Sequence, residues 1–452
     1  MKRRQLWIIA AILLLSVGII GCAKNGNQAV NQGNHPIQPG ESNQQQPAEP
    51  PTGNTGVTGN SGNTGNTGNA GNTGAGNDED DRNAEPEDGL LRQALAKMSL
   101  DEKIGQLIIA GVEGTSANDK DKRMIAEQHV GGIIFYKDNL ASPKEVVKYV
   151  NKLKEWNGAG AAPLLLSVDQ EGGKVSRLPG LEALPSAAVI GAADELPFAS
   201  AVGSLLARES EAMGINMDFA PVLDINSNPD NPVIGTRSYG STADKVTTMG
   251  MAVMGAIRGE GVIPVVKHFP GHGDTSVDSH LELPVVHKDL EQLKAFEWLP
   301  FAEAIHQGTD AVMIAHILFP KLDDKYPASL SKAVITGQLR GTLGFEGVVM
   351  TDDMTMGAIA KNFGIGEAAV QTIKAGSDIV LVAHEYGNVD KVIQALKKSV
   401  GKGELTEQRI DESVLRILEL KQRYELTDEP VAAPALGELN AEIRSVLKQY
   451  TK

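Results

Sequence analysis

The sequence predicts an α/β protein, a single (β/α)8 barrel of the TIM type preceded by a disordered linker. Three observations carry that expectation. Eight short apolar runs rich in β-branched residues recur between positions 106 and 383, amphipathic helical stretches separate them, and charged or imidazole side chains collect at the C-terminal ends of the runs. Continuous apolar strands are buried on both faces, and alternation with helices makes them parallel. Eight repeats over about 340 residues fit a closed barrel better than a doubly wound open sheet.

Taken in order, residues 1–21 open with the basic Lys2, Arg3 and Arg4, continue through an apolar stretch at 6–20, and end in Gly21 directly before Cys22. The apolar run is shorter than the roughly 20 residues a membrane-spanning helix needs. It is similar to a bacterial lipobox, which implies a cleaved lipoprotein signal peptide, lipidation of Cys22 and an extracytoplasmic, membrane-anchored protein. Cys22 is the only cysteine among 452 residues, so the fold is expected to hold no disulfide and no thiolate metal site. Residues 22–88 are Asn, Gly, Thr, Gln and Pro with almost nothing apolar, including a repeated Gly-Asn-Thr-Gly. Such a segment cannot bury enough surface to offset its ordering entropy. It reads as a tether with a root-mean-square reach of roughly 45 Å.

The barrel is expected over residues 89–428. Leu90, Leu91, Leu95 and Met98 recur at helical spacing, and Ser99-Leu-Asp-Glu102 is a helix-start signal. The strand runs fall at 106–110, 132–136, 163–169, 215–220, 262–269, 311–317, 347–352 and 378–383. Helical patterns lie between them at 196–213, 243–259, 290–307, 366–375 and 389–400, and a last one at 407–424. Residues 429–452 read as a short tail with one short helix and no room for a second large domain. The net charge of −15 argues against nucleic acid as a partner, because phosphate binding needs a basic face. A monomer is expected.

Sites in this fold form where strands end. Asp169 closes the third run, Asp224 follows the fourth, Lys267 and His268 close the fifth, His316 lies in the sixth, Asp352 closes the seventh, and His384-Glu385 follow the eighth. The most informative segment is Lys267-His-Phe-Pro-Gly-His-Gly-Asp-Thr-Ser-Val-Asp-Ser-His280. Pro270, Gly271 and Gly273 make it a loop, and Asp278 lies two residues before His280, close enough to hold one imidazole nitrogen while the other faces a substrate. A carboxylate-backed histidine can both give and take a proton near neutrality. A divalent metal site is the competing reading of the three histidines and two aspartates, but the spacing matches no zinc pattern and Lys267 would repel the ion. No metal or cofactor is expected. His272 reads as a hydrogen-bonder that shapes the loop.

Four segments now resemble one family. Asp169-Gln-Glu-Gly-Gly-Lys-Val-Ser-Arg177, Val233-Ile-Gly-Thr-Arg-Ser-Tyr239, the 267–280 loop and Val349-Met-Thr-Asp-Asp-Met354 occur in the order found in β-N-acetylglucosaminidases of glycoside hydrolase family 3. Lys174 departs from the arginine frequent at that position. The resemblance implies Asp352 as nucleophile, His280 as acid/base with Asp278 as its partner, and Asp169, Arg177, Arg237, Lys267 and His268 as the sugar-binding set. Strand alternation independently favours Asp352 over Asp353, because a barrel-facing Val348 and Met350 put Asp352 on the same side. The implied activity is removal of terminal, non-reducing N-acetylglucosamine from cell-wall glycans or muropeptides by a retaining mechanism without cofactor. A glycoside phosphorylase, a β-glucosidase or xylosidase of the same family, and a carbohydrate-binding lipoprotein without turnover stay open from the sequence.

Overall fold

In a computed structural model of the chain, residues 87–451 are described. The signal peptide, Cys22 and the tether up to residue 86 lie outside the described residues. Eight strands form the sheet: β1 (Ile108–Gly111), β2 (Gly132–Phe135), β3 (Leu165–Val168), β4 (Met217–Asp218), β5 (Ile263–Phe269), β6 (Ala311–Ile314), β7 (Val348–Thr351) and β8 (Val380–Val382). Neighbours in sequence are neighbours in space, with β1 also pairing β8, and every pairing is parallel. A parallel bridge between Met350 and Ile379 joins β7 to the segment entering β8 and closes the barrel. All strand residues are buried, as the uninterrupted apolar runs require.

Each of the eight expected runs coincides with one strand, β1 extending one residue past its run to Gly111. The strands are shorter than the runs, and β3, β4 and β8 each start two residues later. β4 pairs over only two residues, and further on Val222 makes an isolated parallel bridge to Lys267 of β5. Helices follow their start signals. Ser99 and Glu102 form a reciprocal capping box, and Asn118 caps Asp119–Ala126 in the same way. The expected helix over 290–307 is two, Leu290–Ala295 and Leu299–His306. Pro300 in the first turn of the second has no N–H to continue a ladder, and the intervening Glu297 and Trp298 turn inward and are buried.

The core divides between the barrel interior with one set of helices and a second cluster under Leu196–Glu211 and Ala243–Gly259. The C-terminal segment belongs to that second cluster. Leu436–Tyr450 is a 15-residue helix that buries Leu439 and Ile443, and Tyr450 stacks on Phe198 at 5.0 Å between ring centres. At the other end of the described chain the first helix begins at Glu87, just before the expected start of ordered structure. Among the described residues no helix is long and apolar enough to cross a membrane.

Candidate active site

The ends of β3 and β5 bring opposite charges together. Lys267, almost fully buried at the top of β5, donates to Asp169 Oδ1 at 2.6 Å and lies 2.7 Å from Glu171 Oε1. Arg237 clamps the same Glu171 with two bonds, Nε to Oε2 at 2.8 Å and Nη2 to Oε1 at 2.6 Å. Burial disfavours the Lys267 ammonium, but the two carboxylates outweigh it and raise its pKa above the ordinary lysine value. For Glu171 burial likewise opposes charge and is overcome by Arg237 and Lys267, which hold the carboxyl well below its usual range. The cluster is therefore a fixed array of charge, with hydrogen-bond donors and acceptors spaced for the hydroxyls of a small polar ligand.

Asp352 follows β7. Its backbone N–H donates to Ile314 O at 3.0 Å, and its Oδ1 accepts the Asp353 N–H at 2.8 Å. Burial pushes against its charge, yet the His268 and His316 imidazoles and the Asp353 N–H prevail and bring its pKa down to about 2. Asp353 is tied into the scaffold, its carboxylate accepting from Ala383 N and Thr355 N at 3.0 Å and from Thr355 Oγ1 at 2.5 Å. His316 is fully buried and links Ser329 Oγ at 2.7 Å to the Asp353 carbonyl at 3.0 Å, which steadies the turn carrying Asp352.

The loop after β5 is organised by Asp224. That buried carboxylate holds His268 Nδ1 at 2.6 Å and the His272 N–H at 2.6 Å. His272 spans Thr275 Oγ1 at 2.9 Å and Ser279 Oγ at 3.0 Å, and burial together with the neighbouring His268 lowers its pKa to about 4. It is a neutral brace inside the loop at physiological pH. His280 differs: its side chain is 61% exposed, and Asp278 Oδ1 meets both its Nδ1 and its N–H at 2.8 Å. Burial of Asp278 favours its neutral form, but the bonds from His280 reverse that and lower its pKa. His280 lines the cavity. Bonds from Gly357 N to His280 O and from Ala358 N to Ser279 O dock the loop on the segment after β7. A Cβ at Gly357 would lie 2.6 Å from His280 O, so the approach needs glycine.

Asp169, Arg177, Arg237, Lys267, His268, Asp278, His280 and Asp352 all line one cavity of about 310 Å³ at the C-terminal ends of the strands. That volume is at the small end of ligand sites and has room for a single sugar ring. Asp224 and His316 stand behind it, as their sequence positions suggest. Within this set Asp169 and Arg177 do not pair with each other. Instead Asp169 pairs with Lys267, and the Arg177 guanidinium lies 5.9 Å from the centre of the Tyr136 ring.

Several lining residues were not assigned as ligands by sequence, Glu171, Tyr136 and His384 among them. Glu171 is two positions after Asp169, the spacing that points both to one side of an extended segment, and that signal was available. His384 was marked by its place after the eighth run, whereas Tyr136, whose ring lies 5.1 Å from that of His384 on the wall, carried no such signal.

The comparisons agree with this geometry. The model of the glycosyl hydrolase family 3 N terminal domain matches residues 99–420. A glycoside hydrolase family 3 β-N-acetylglucosaminidase from Paenibacillus sp. str. FPU-7 is 44% identical with a TM-score of 0.74, over 78% of this chain and 69% of that one. The β-hexosaminidase LpqI of Mycobacterium tuberculosis is 36% identical over 72% of this chain and 84% of its own length. For β-hexosaminidase A of Pseudoalteromonas piscicida the identity is 33% over 66% of this chain, which spans about half (54%) of that relative. The chain belongs to glycosyl hydrolase family 3 and is a glycoside hydrolase.

Proposed function

We propose that the chain is a retaining exo-β-N-acetylglucosaminidase that removes terminal, non-reducing N-acetylglucosamine from cell-wall fragments outside the cytoplasm, tethered through lipidated Cys22. The observation that carries the catalytic reading is the sharing of one sugar-sized cavity by an ionised Asp352 and the Asp278–His280 pair. Asp169, Lys267, Arg237, Arg177 and His268 hold the terminal sugar through its hydroxyl and amide groups. Asp352 attacks the anomeric carbon while His280 protonates the departing oxygen, forming a glycosyl ester through an oxocarbenium-like transition state. Water, losing its proton to His280, then cleaves the ester and restores the β configuration. Asp278 keeps the ring oriented through its contact with Nδ1. The family membership and the β-hexosaminidase names of the relatives support this substrate class.

The test is to follow hydrolysis of an aryl β-N-acetylglucosaminide and of the matching β-glucoside by proton NMR, in phosphate and in phosphate-free buffer. Fast release of β-N-acetylglucosamine as the first product, independent of phosphate, is expected. An α-anomer formed first would contradict retention, a sugar 1-phosphate would reveal a phosphorylase, faster cleavage of the glucoside would contradict the substrate class, and no turnover of either would leave a binding protein.

A further inference from the structure

Between Asp169 and Glu171, both turned toward Lys267, Gln170 turns the other way. It is 2% exposed, does not line the cavity, and makes five hydrogen bonds. Its N–H donates to Asp218 Oδ1 at 2.9 Å, and its Nε2 donates to Glu209 Oε2 at 2.7 Å and Ser176 Oγ at 3.3 Å. Its Oε1 accepts the backbone N–H groups of Arg177 at 2.7 Å and Leu178 at 3.3 Å. The side-chain amide therefore has every donor and acceptor engaged, which fixes its orientation. The segment it ties together begins with Asp169 and ends with Arg177, whose guanidinium reaches the cavity while its Nε finds no partner among the described residues.

We propose that Gln170 is a positioning residue for sugar binding, a buried amide clasp that sets where Arg177 stands relative to Asp169 and Glu171, with Glu209 and Asp218 as its anchors. This rests on the reading of Arg177 as a sugar ligand. Both anchors are acids within the protein, Glu209 1% and Asp218 0% exposed, and each has one oxygen without a partner among the described residues. Burial raises the pKa of Glu209 to about 8, so it holds the side-chain amide as a neutral acceptor at pH 7, while Asp218, whose pKa burial also raises, accepts the backbone N–H. Ionised, they would add negative charge behind Asp169 and Glu171. Removing the clasp frees the Arg177 backbone to shift, and misplacement of a binding group by about 1 Å costs roughly 10- to 100-fold.

The experiment is a double-mutant cycle on KM and kcat with the full chain and an aryl β-N-acetylglucosaminide. Gln170→Leu is expected to raise KM by roughly 10-fold or more with a much smaller change in kcat, and to add nothing to the defect of Arg177→Ala when the two are combined. Multiplying effects, or an unchanged KM in Gln170→Leu, would overturn the clasp while leaving Arg177 as a ligand. An unaffected Arg177→Ala would instead remove the binding reading on which the clasp rests. Should Gln170→Leu not fold, the Glu209 pair decides. Glu209→Gln, which keeps an oxygen to accept from Gln170, should retain KM, and Glu209→Leu should raise it; equal KM values in the two would overturn the proposal.

Discussion

Two adjacent aspartates follow β7, and their surroundings separate them. Both line the cavity, but Asp353 spends its oxygens on Ala383 N, Thr355 N and Thr355 Oγ1, whereas Asp352 accepts one backbone bond and has its other oxygen without a hydrogen-bond partner among the described residues. Asp352→Ala should lower turnover at least about 10³-fold, as expected for loss of a nucleophile. Asp353→Ala should cost less turnover but lower the melting temperature, since it leaves the Ala383 N–H unpaired. Steady-state rates and thermal unfolding of both variants check this, and equal turnover losses would contradict it. His280 invites a different comparison. General acid catalysis contributes about 10²- to 10⁴-fold and matters most for a poor leaving group. His280→Ala should lose that much on a natural disaccharide and far less on a nitrophenyl glycoside at the glycosylation step, measured as kcat/KM on the two substrates. Equal losses would mean that His280 holds structure rather than a proton. The Asp278–His280 pair was legible because its members are two residues apart. The Lys267 contacts were not, because Asp169 lies 98 residues earlier in the chain and only the barrel closes that distance.

At the scale of elements, the strands were legible because parallel strands buried on both faces must be continuously apolar. Their ends were less so: the 215–220 run yields only a two-residue ladder, since pattern marks burial and not hydrogen bonding. The break between Leu290–Ala295 and Leu299–His306 was missed because hydrophobic spacing runs through it, although Pro300 marks it. Tertiary placement of helices was not legible at all. Nothing in the sequence of Leu196–Glu211 says that Glu209 faces Gln170 in a dry interior. That placement has a consequence for stability. The Glu209 pKa of about 8 exceeds the roughly 4.3 of an unfolded glutamate, so the folded state holds a proton that the unfolded state releases in between. The associated stability is fully present below about pH 4.3 and is lost as pH rises through about 8. Relative to Glu209→Gln, the unmutated protein should therefore lose several degrees of melting temperature across this window. Melting curves of the pair that stay parallel from pH 4.5 to 8 would contradict a protonated Glu209.

For the whole molecule, the cavity is assembled from residues between Tyr136 and His384, and the C-terminal helix completes the core on the flank of the barrel. Every lining group among the described residues thus comes from the barrel. Deleting residues 23–86 is predicted to leave kcat/KM on soluble substrates within about two-fold, because it removes none of the described lining groups. A large loss in a deletion variant that unfolds at the same temperature would show that the segment contributes to the site. The central claim is that the barrel presents Asp352 as the nucleophile of a two-step, retaining reaction, and it is tested most directly by catching the intermediate. His280→Ala, which lacks the base for the second step, should accumulate a glycosyl-enzyme when mixed with an activated aryl β-N-acetylglucosaminide. Acid quench, proteolysis and mass spectrometry should then find one N-acetylhexosaminyl group on the peptide containing Val349 to Met354, at Asp352. A label on any other residue, or release of sugar with no covalent species at any time point in which turnover continues, would contradict the account.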